Sequence, residues 1–289
     1  IVRIPKNLIA KIPDNVDDDT ASFTVIGSIA LQGVRLMNPT IGETIVVQGL
    51  GLVGLMAVQI LVANGCKVIG IDLSKSRCNL AKEYGAHTIN LSDEQNPISI
   101  TNQLTSNIGV DGVLICTASD NESIIHQAAT ICRKKGRLVL VGVAGLKLNR
   151  DDFYKKELSF QVSASYGPGR YDPEYELKGH DYPIGYVRWT EQRNFAAILD
   201  LMSSGRINVK PMISHHFNFD NANEAYDLLN NNKESLGIIL DYKTNKVLNN
   251  SDIIKINKSY KQISGIPNIA FIGAGNYAKS VLIPAFKSS

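Results

Sequence analysis

The sequence predicts an α/β protein built on a doubly wound parallel sheet, and three observations carry that prediction. Short β-rich runs alternate with helical runs from Thr44 to Ser165. The β-rich runs are near-continuous Val, Ile and Leu rather than alternating apolar and polar, as in strands that helices cover on both faces. The first of them runs into a glycine turn that opens a helix, "TIVVQGLGLVGLMAVQIL".

Ile1 to Asp19 has two prolines and no helical period, so residues 1–20 read as a lead-in from something upstream. After Pro39 and Gly42, "TIVVQ" is the first strand and Leu52 to Ala63 the first helix. "KVIGID" is the second strand; Ser74 is placed to accept the first free N–H groups of a helix over "KSRCNLAKEYG". "HTIN" and "DGVLICTA" are the third and fourth strands, "NESIIHQAATICRK" a helix, "GRLVLVGV" the fifth strand and "ELSFQVSAS" the sixth. Residues 21–164 thus form one dinucleotide-binding unit. From Ser165 to Arg193 the chain is a long loop rich in Gly, Pro and Tyr. The helices "RNFAAILDLMSSG" and "NANEAYDLL" and the strand "LGIILDY" complete a segment 165–242. Residues 243–265 are polar, rich in Lys and Asn, and suit a linker. Residues 266–289 hold a second strand–turn–helix, "NIAFIGAGNYAKSVLIPAF", an echo of the first.

Composition narrows the function. With 289 residues and 44% hydrophobic content the chain can bury one or two cores. A net charge of +3 with the two signs interspersed leaves no basic stripe for nucleic acid. Cys66, Cys78, Cys116 and Cys132 show no CxxC spacing, which predicts reduced thiols in a cytoplasmic protein. The apolar stretch from Thr44 to Gly65 is long enough for a membrane span. Its β-branched residues, however, precede the glycines, and Gln48, Gln59 and Asn64 interrupt it, so strand, turn and buried helix fit better.

The glycines Gly49, Gly51 and Gly54 divide three tasks: a tight turn, close approach to a pyrophosphate, and close packing of the helix on its strand. The helix N-terminus, at Leu52 and Val53, faces the phosphate charge. Asp72 ends the next strand, 23 residues after Gly49, where a carboxylate accepts hydrogen bonds from the adenosine ribose. Together these read as a Rossmann site for NAD. Asp72 repels the 2′-phosphate of NADP, although Lys75 and Arg77 lie close enough to pair with it. An S-adenosylmethionine methyltransferase, which shares the glycine turn and the strand-end acid, is the distant rival.

The stretch "IPDNVDDDTASFTVIGSIALQGVRL…IGETIVVQGLGLVGLMAVQILVANGCKVIGIDLSKSRCNLAKEYGAHTIN", with "GRINVKPMISHHFNFDNANEAYDLL", resembles the medium-chain dehydrogenase/reductase superfamily, the alcohol-dehydrogenase-like enzymes. The resemblance covers about residues 1–242. It implies that Asp72 holds the ribose with Arg77 nearby. It also puts Cys116, Thr117 and the turn Val141, Gly142 and Val143 beside the nicotinamide. It further implies a catalytic domain ahead of Ile1 carrying the first zinc ligands, for which this sequence has no Cys/His/Glu cluster. "NIAFIGAGNYAKSVLIPAF" resembles the first unit of the glucose–fructose oxidoreductase and inositol dehydrogenase family, through Gly273, Gly275 and Ala278. Fusions of the two kinds of domain are associated with bacterial surface-polysaccharide synthesis, and the loop "SASYGPGRYDPEYELKGHDYPIGYVRWTEQRN" resembles theirs. The expectation is therefore a fragment of such a fusion, cut at both ends. Its flanks would be remnants of a catalytic domain and the start of a second Rossmann domain. One strand and one helix cannot bury their faces alone, so residues 243–289 are expected to be mobile or to dock on the main domain.

The loop holds Tyr166, Tyr171, Tyr175, Tyr182 and Tyr186, with Trp189, Arg170, Arg188 and Arg193. Rings stack on sugar C–H faces and guanidinium forks pair with oxyanions. Arg170, Tyr175, Arg188, Trp189 and Arg193 are therefore candidate contacts to a sugar-like substrate. Packing of the loop on its own aromatics, or a contact in a homo-oligomer, explains the composition equally well. Tyr171, His180 and Tyr182 are the candidates for proton transfer. His215 and His216 are adjacent on a predicted strand, point to opposite faces and cannot share one ion. A gapless alignment puts Thr24 where zinc-dependent relatives carry their third ligand, and a neutral hydroxyl is a poor partner for the cation, so no metal site is predicted. The function expected is NAD-dependent hydride transfer. A zinc-dependent polyol dehydrogenase and a non-catalytic nucleotide-binding module are the alternatives.

Overall fold

The computed structural model describes residues 4–121, 123–232, 234–242, 269, 271–273 and 275–288. The chain divides into two compact units, 1–242 and 243–289.

In the first unit a short helix α1 (Asp18–Ala21) starts at Asp17, whose side chain accepts the Thr20 N–H at 2.8 Å. Helix α2 (Thr24–Met37) then leads into β1 (Thr44–Gln48), α3 (Leu52–Ala63), β2 (Lys67–Asp72), α4 (Lys75–Glu83) and β3 (His87–Asn90). The second half holds α5 (Pro97–Leu104), β4 (Val110–Ile115), β5 (Ala118–Ser119), α6 (Ser123–Ile131), β6 (Cys132–Leu140), β7 (Val143–Ala144), α7 (Arg150–Tyr154) and β8 (Ser159–Val162). Six strands form one sheet in the order β3-β2-β1-β4-β6-β8, every pair parallel. The chain builds outward from β1 to β3, then returns to start β4 on the other side of β1. The connections diverge there, and a crevice opens at the carboxyl ends of β1 and β4, where such sheets take their ligands. The six strands expected between Thr44 and Ser165 and their parallel arrangement match the main sheet of the structure.

One core fills the face covered by α2, α3 and α9 (Glu191–Ser203), and a second fills the face covered by α5 and α6. Helix α3 is apolar all round because the sheet lies on one side of it and α2 on the other. With 12 residues it is one of the helices of a fold in which none of the described helices is long and apolar enough to cross a membrane. All four cysteines are free.

Several elements differ from the sequence reading. Helix α2 was not assigned, because Gly27 and Gly33 each weaken a helix interior by about 1 kcal/mol. Tertiary packing overrides that penalty: a Cβ on Gly27 would lie 2.6 Å from Met56 Cε, and one on Gly33 would overlap Val141. Helix α6 stops at Ile131 and β6 starts at Cys132, four residues before the expected strand. The long loop contains a short helix, α8 (Pro173–Glu176). Beyond α9, β9 (Ile213–Asn218), α10 (Ala222–Asn231) and β10 (Gly237–Asp241) close the unit, β9 and β10 paired in parallel.

The expected linker, 243–265, lies outside the described residues. In the second unit the described part of "IAFIG" is not a strand, because a strand needs a neighbour to take its N–H and C=O groups. The helix over residues 276–288 passes through π spacing at Ala278–Leu282 before α11 (Ile283–Ser288). Pro284 explains this, since it has no N–H to give the Ser280 carbonyl.

Candidate cofactor site

The crevice is built by its glycines. Gly49 follows β1 with φ +94°, a left-handed conformation, and a Cβ there would lie 2.7 Å from Thr117 N. The turn therefore passes against the chain leaving β4, and Gly49 N–H donates to Ile71 C=O at 2.8 Å. At Gly51, the residue that starts α3, a Cβ would meet nothing within 4 Å: this is the open side. No side chain caps α3, so the N–H groups of Leu52 and Val53 face that opening with the positive end of the helix dipole. A Cβ on Gly54 would overlap the Gly49 carbonyl oxygen.

Asp72 closes the other side. One carboxylate oxygen accepts the Leu50 N–H at 2.6 Å and the other the Ser74 N–H at 2.8 Å. The acid is thus clamped between the glycine turn and the start of α4, with a lone pair left on each oxygen. It lines a cavity of about 460 Å³ together with Gly49, Ser74, Arg77, Thr117 and Asn121. Glu234, 160 residues from Ser74, enters the same cavity and accepts hydrogen bonds from Ser74 Oγ at 3.0 Å and Ser76 Oγ at 2.6 Å. Those two hydroxyls hold its carboxyl below the usual range. Glu234, Ser119 and Asn121 carried no sequence motif; only the return of the chain after α10 brings Glu234 here.

At the exits of β4 and β6 the two turns touch: a Cβ on Gly142 would overlap Thr117 O, and Val143 N–H donates to Thr117 C=O at 3.1 Å. Thr117 and Val143 face outward, whereas Cys116 and Val141 pack into the core beneath. Burial pushes the Cys116 thiol up to about 12.

The aromatic loop corrects part of the sequence reading. Tyr175 is fully buried, donates its hydroxyl proton to Thr190 Oγ1 at 2.8 Å and stacks on Tyr182 at 5.2 Å, so it is core and not a substrate contact. Trp189 has no free face for a sugar ring. The guanidinium carbons of Arg35 and Arg188 lie 3.4 and 3.9 Å from its ring centroid, and two groups at van der Waals distance from one centroid must occupy opposite faces. Arg193 pairs with Asp181 at 2.5 Å, and Arg170 with Glu176 at 2.6 Å. Tyr182 donates to Asp172 at 2.5 Å; this bond, before burial, raises its hydroxyl to about 12 and makes it a poor acid. Tyr171 is exposed, with the Arg170 guanidinium 4.2 Å from its ring, and His180 Nδ1 sits 2.9 Å from Glu174.

Thr24, which the alignment sets at a zinc-ligand position of alcohol-dehydrogenase-like enzymes, offers a hydroxyl and no charge. The Thr24 hydroxyl is already given to Ala21 C=O at 2.6 Å. Among the described residues, one group of carboxylates and imidazole comes close enough to share an ion: Asp19, His216 and Asp241. There the two ring nitrogens of His216 lie 3.2 Å from Asp241 and 3.7 Å from Asp19. His215 lies apart from it, against Ser214 and Phe217.

Residues 53–177 match the family model described as zinc-binding dehydrogenase. The D-xylulose reductase of Saccharomyces cerevisiae is 25% identical over 225 residues, 77% of this chain and 57% of the yeast protein. Among solved structures, the alcohol dehydrogenase TADH from Thermus sp. ATN1 superposes with a TM-score of 0.65 at 26% identity, covering 81% of this chain and 61% of that one. A short chain alcohol dehydrogenase from E. coli CFT073, solved with NADH, gives a TM-score of 0.63 at 26% identity, over 80% of this chain and 61% of its own. The chain spans less than two thirds of the length of these relatives.

Proposed function

From the premise that this chain belongs to the medium-chain dehydrogenase/reductase superfamily, in its zinc-type branch, we propose that it is the NAD(H)-binding part of an oxidoreductase. The substrate proposed is a polyol or a sugar-like alcohol or ketone. The observation that carries the reading is Asp72, clamped to the glycine turn through the Leu50 N–H and lining one cavity with Gly49 and Thr117, beside a helix whose N-terminus at Gly51 no side chain caps. Bound there, the nicotinamide supplies a hydride donor or acceptor. The N–H groups of Leu52 and Val53 hold the pyrophosphate, and the remaining lone pairs of Asp72 take the ribose hydroxyls. Thr117, with the Gly142 turn packed against it, lines the same cavity. For the proton, Tyr171 and His180 are the proposed groups, since Tyr182 has committed its proton to Asp172. No step is assigned to a metal.

Titration of the chain with NADH and NADPH, followed by nicotinamide fluorescence, tests the reading. NADH should bind at least about tenfold more tightly, because Asp72 repels a 2′-phosphate and loses a ribose hydrogen bond. Equal or tighter binding of NADPH refutes the NAD assignment. No binding of either refutes the site.

A further inference from the structure

A second cavity, of about 420 Å³, lies at the other end of the sheet. Arg35 and Asn38 from the end of α2, Asn64 from the end of α3, Trp189, and Arg206 beyond α9 line it. Pro39 and Asn64 precede β1 and β2, so this cavity opens at the amino ends of the strands, away from the cofactor crevice. Among the described residues, no carboxylate lines it.

Its charge is out of balance. Among the described residues, Arg35, Arg188 and Arg206 have no acidic partner. Arg35 donates through Nε to Asn194 Oδ1 at 2.8 Å, which leaves its two terminal nitrogens without a protein acceptor. A guanidinium near a helix end ordinarily caps the last carbonyls. Arg35 does not; it lies flat on Trp189 with Arg188 on the opposite face. Burial and then the nearby Arg188 charge lower the Arg35 guanidinium to about 10, a cost that a bound anion would offset. The floor is apolar, from Leu31, Ile60 and Leu201.

We propose that this cavity binds a phosphate monoester, the phosphoryl group held by Arg35 and Arg206 with Arg188 adding charge, and the body of the molecule lying on the apolar floor. Guanidinium forks match phosphoryl oxygens in geometry, and two or three of them suit a dianion better than a single carboxylate. The site does not depend on the cofactor reading and shares none of its residues.

Trp189 is the only tryptophan in the chain and lies between two of the arginines, so its emission reports on the site. The 289-residue chain is titrated with inorganic phosphate, with glucose 6-phosphate and, at matched ionic strength, with sodium chloride. A saturable change is expected with glucose 6-phosphate, weaker with inorganic phosphate, and absent with chloride. Arg206→Gln should weaken the monoester about tenfold or more, as loss of a charge-assisted pair does, and Arg188→Gln, which removes charge beside the cavity, should weaken it less. Both side chains are exposed and, among the described residues, make no hydrogen bond or ion pair, so circular dichroism and NADH affinity should stay as in the parent chain. A response that chloride reproduces, no saturation with the monoester, or unchanged affinity in both variants overturns the proposal.

Discussion

Replacing Glu191 by Gln should stabilise this protein, and by more at pH 8 than at pH 5. Glu191 is the first residue of α9 and is fully buried, and neither carboxylate oxygen has a hydrogen-bond partner among the described residues. The nearby Arg170 is committed to Glu176, whose own charge also opposes ionisation of Glu191. Burial, then Glu176, push its carboxyl from 4.5 up to about 7. The folded chain therefore keeps this proton between pH 4.5 and 7 while the unfolded chain releases it. More protons on the folded state means that stability falls as pH rises through that window. At about 1.4 kcal/mol per pH unit, the penalty above pH 7 is at most about 3.5 kcal/mol. Gln has the shape of the neutral acid and carries no such penalty. Urea unfolding of the parent and Glu191→Gln chains at pH 5, 6, 7 and 8 isolates the effect, because every other titrating group cancels in the difference. The difference should grow from below about 1 kcal/mol at pH 5 to about 3 kcal/mol in favour of Gln at pH 8. A flat difference, or one that favours Glu at pH 8, refutes the assignment of a neutral buried carboxyl.

Gly54→Ala should abolish NADH binding in a fluorescence titration and lower the melting temperature, because its Cβ overlaps the Gly49 carbonyl and must push α3 off the turn. Asp72→Asn should weaken NADH about tenfold while NADPH binds no worse than before, which paired titrations read directly. Tyr175→Ala should cost about 3–5 kcal/mol in urea unfolding, the value for a fully buried aromatic, where an exposed substrate contact would cost almost nothing. Tyr182→Phe should cost about 1 kcal/mol for the lost hydrogen bond to Asp172 and leave NADH affinity unchanged, again by unfolding and titration.

The cofactor crevice was legible because its requirements are local. A turn that must run with φ +94° at Gly49, and a helix that must touch its own turn at Gly54, each demand glycine, and glycine is visible in a string of letters. Asp72 was legible because the length of one strand–helix–strand unit sets its distance from the turn. Helix α2 was not, since its two glycines argue against a helix until α3, α9 and the sheet supply the contacts that outweigh them. Glu234 was not, because nothing near it in the chain marks a residue that closes a cavity 160 positions upstream.

What this sequence determined by itself was the six strands of the main sheet, their parallel arrangement and the glycine turn on which the candidate site rests. All three follow from apolar runs and turn chemistry a few residues wide. The fates of the tyrosines and arginines in the loop were decided only by the tertiary structure. Tyr175 went inward to Thr190, Arg170 and Arg193 to acids, and Trp189 between two guanidinium groups. Aromatic and cationic side chains serve a core, an ion pair or a ligand equally well, and the neighbours that choose among these come from other parts of the chain.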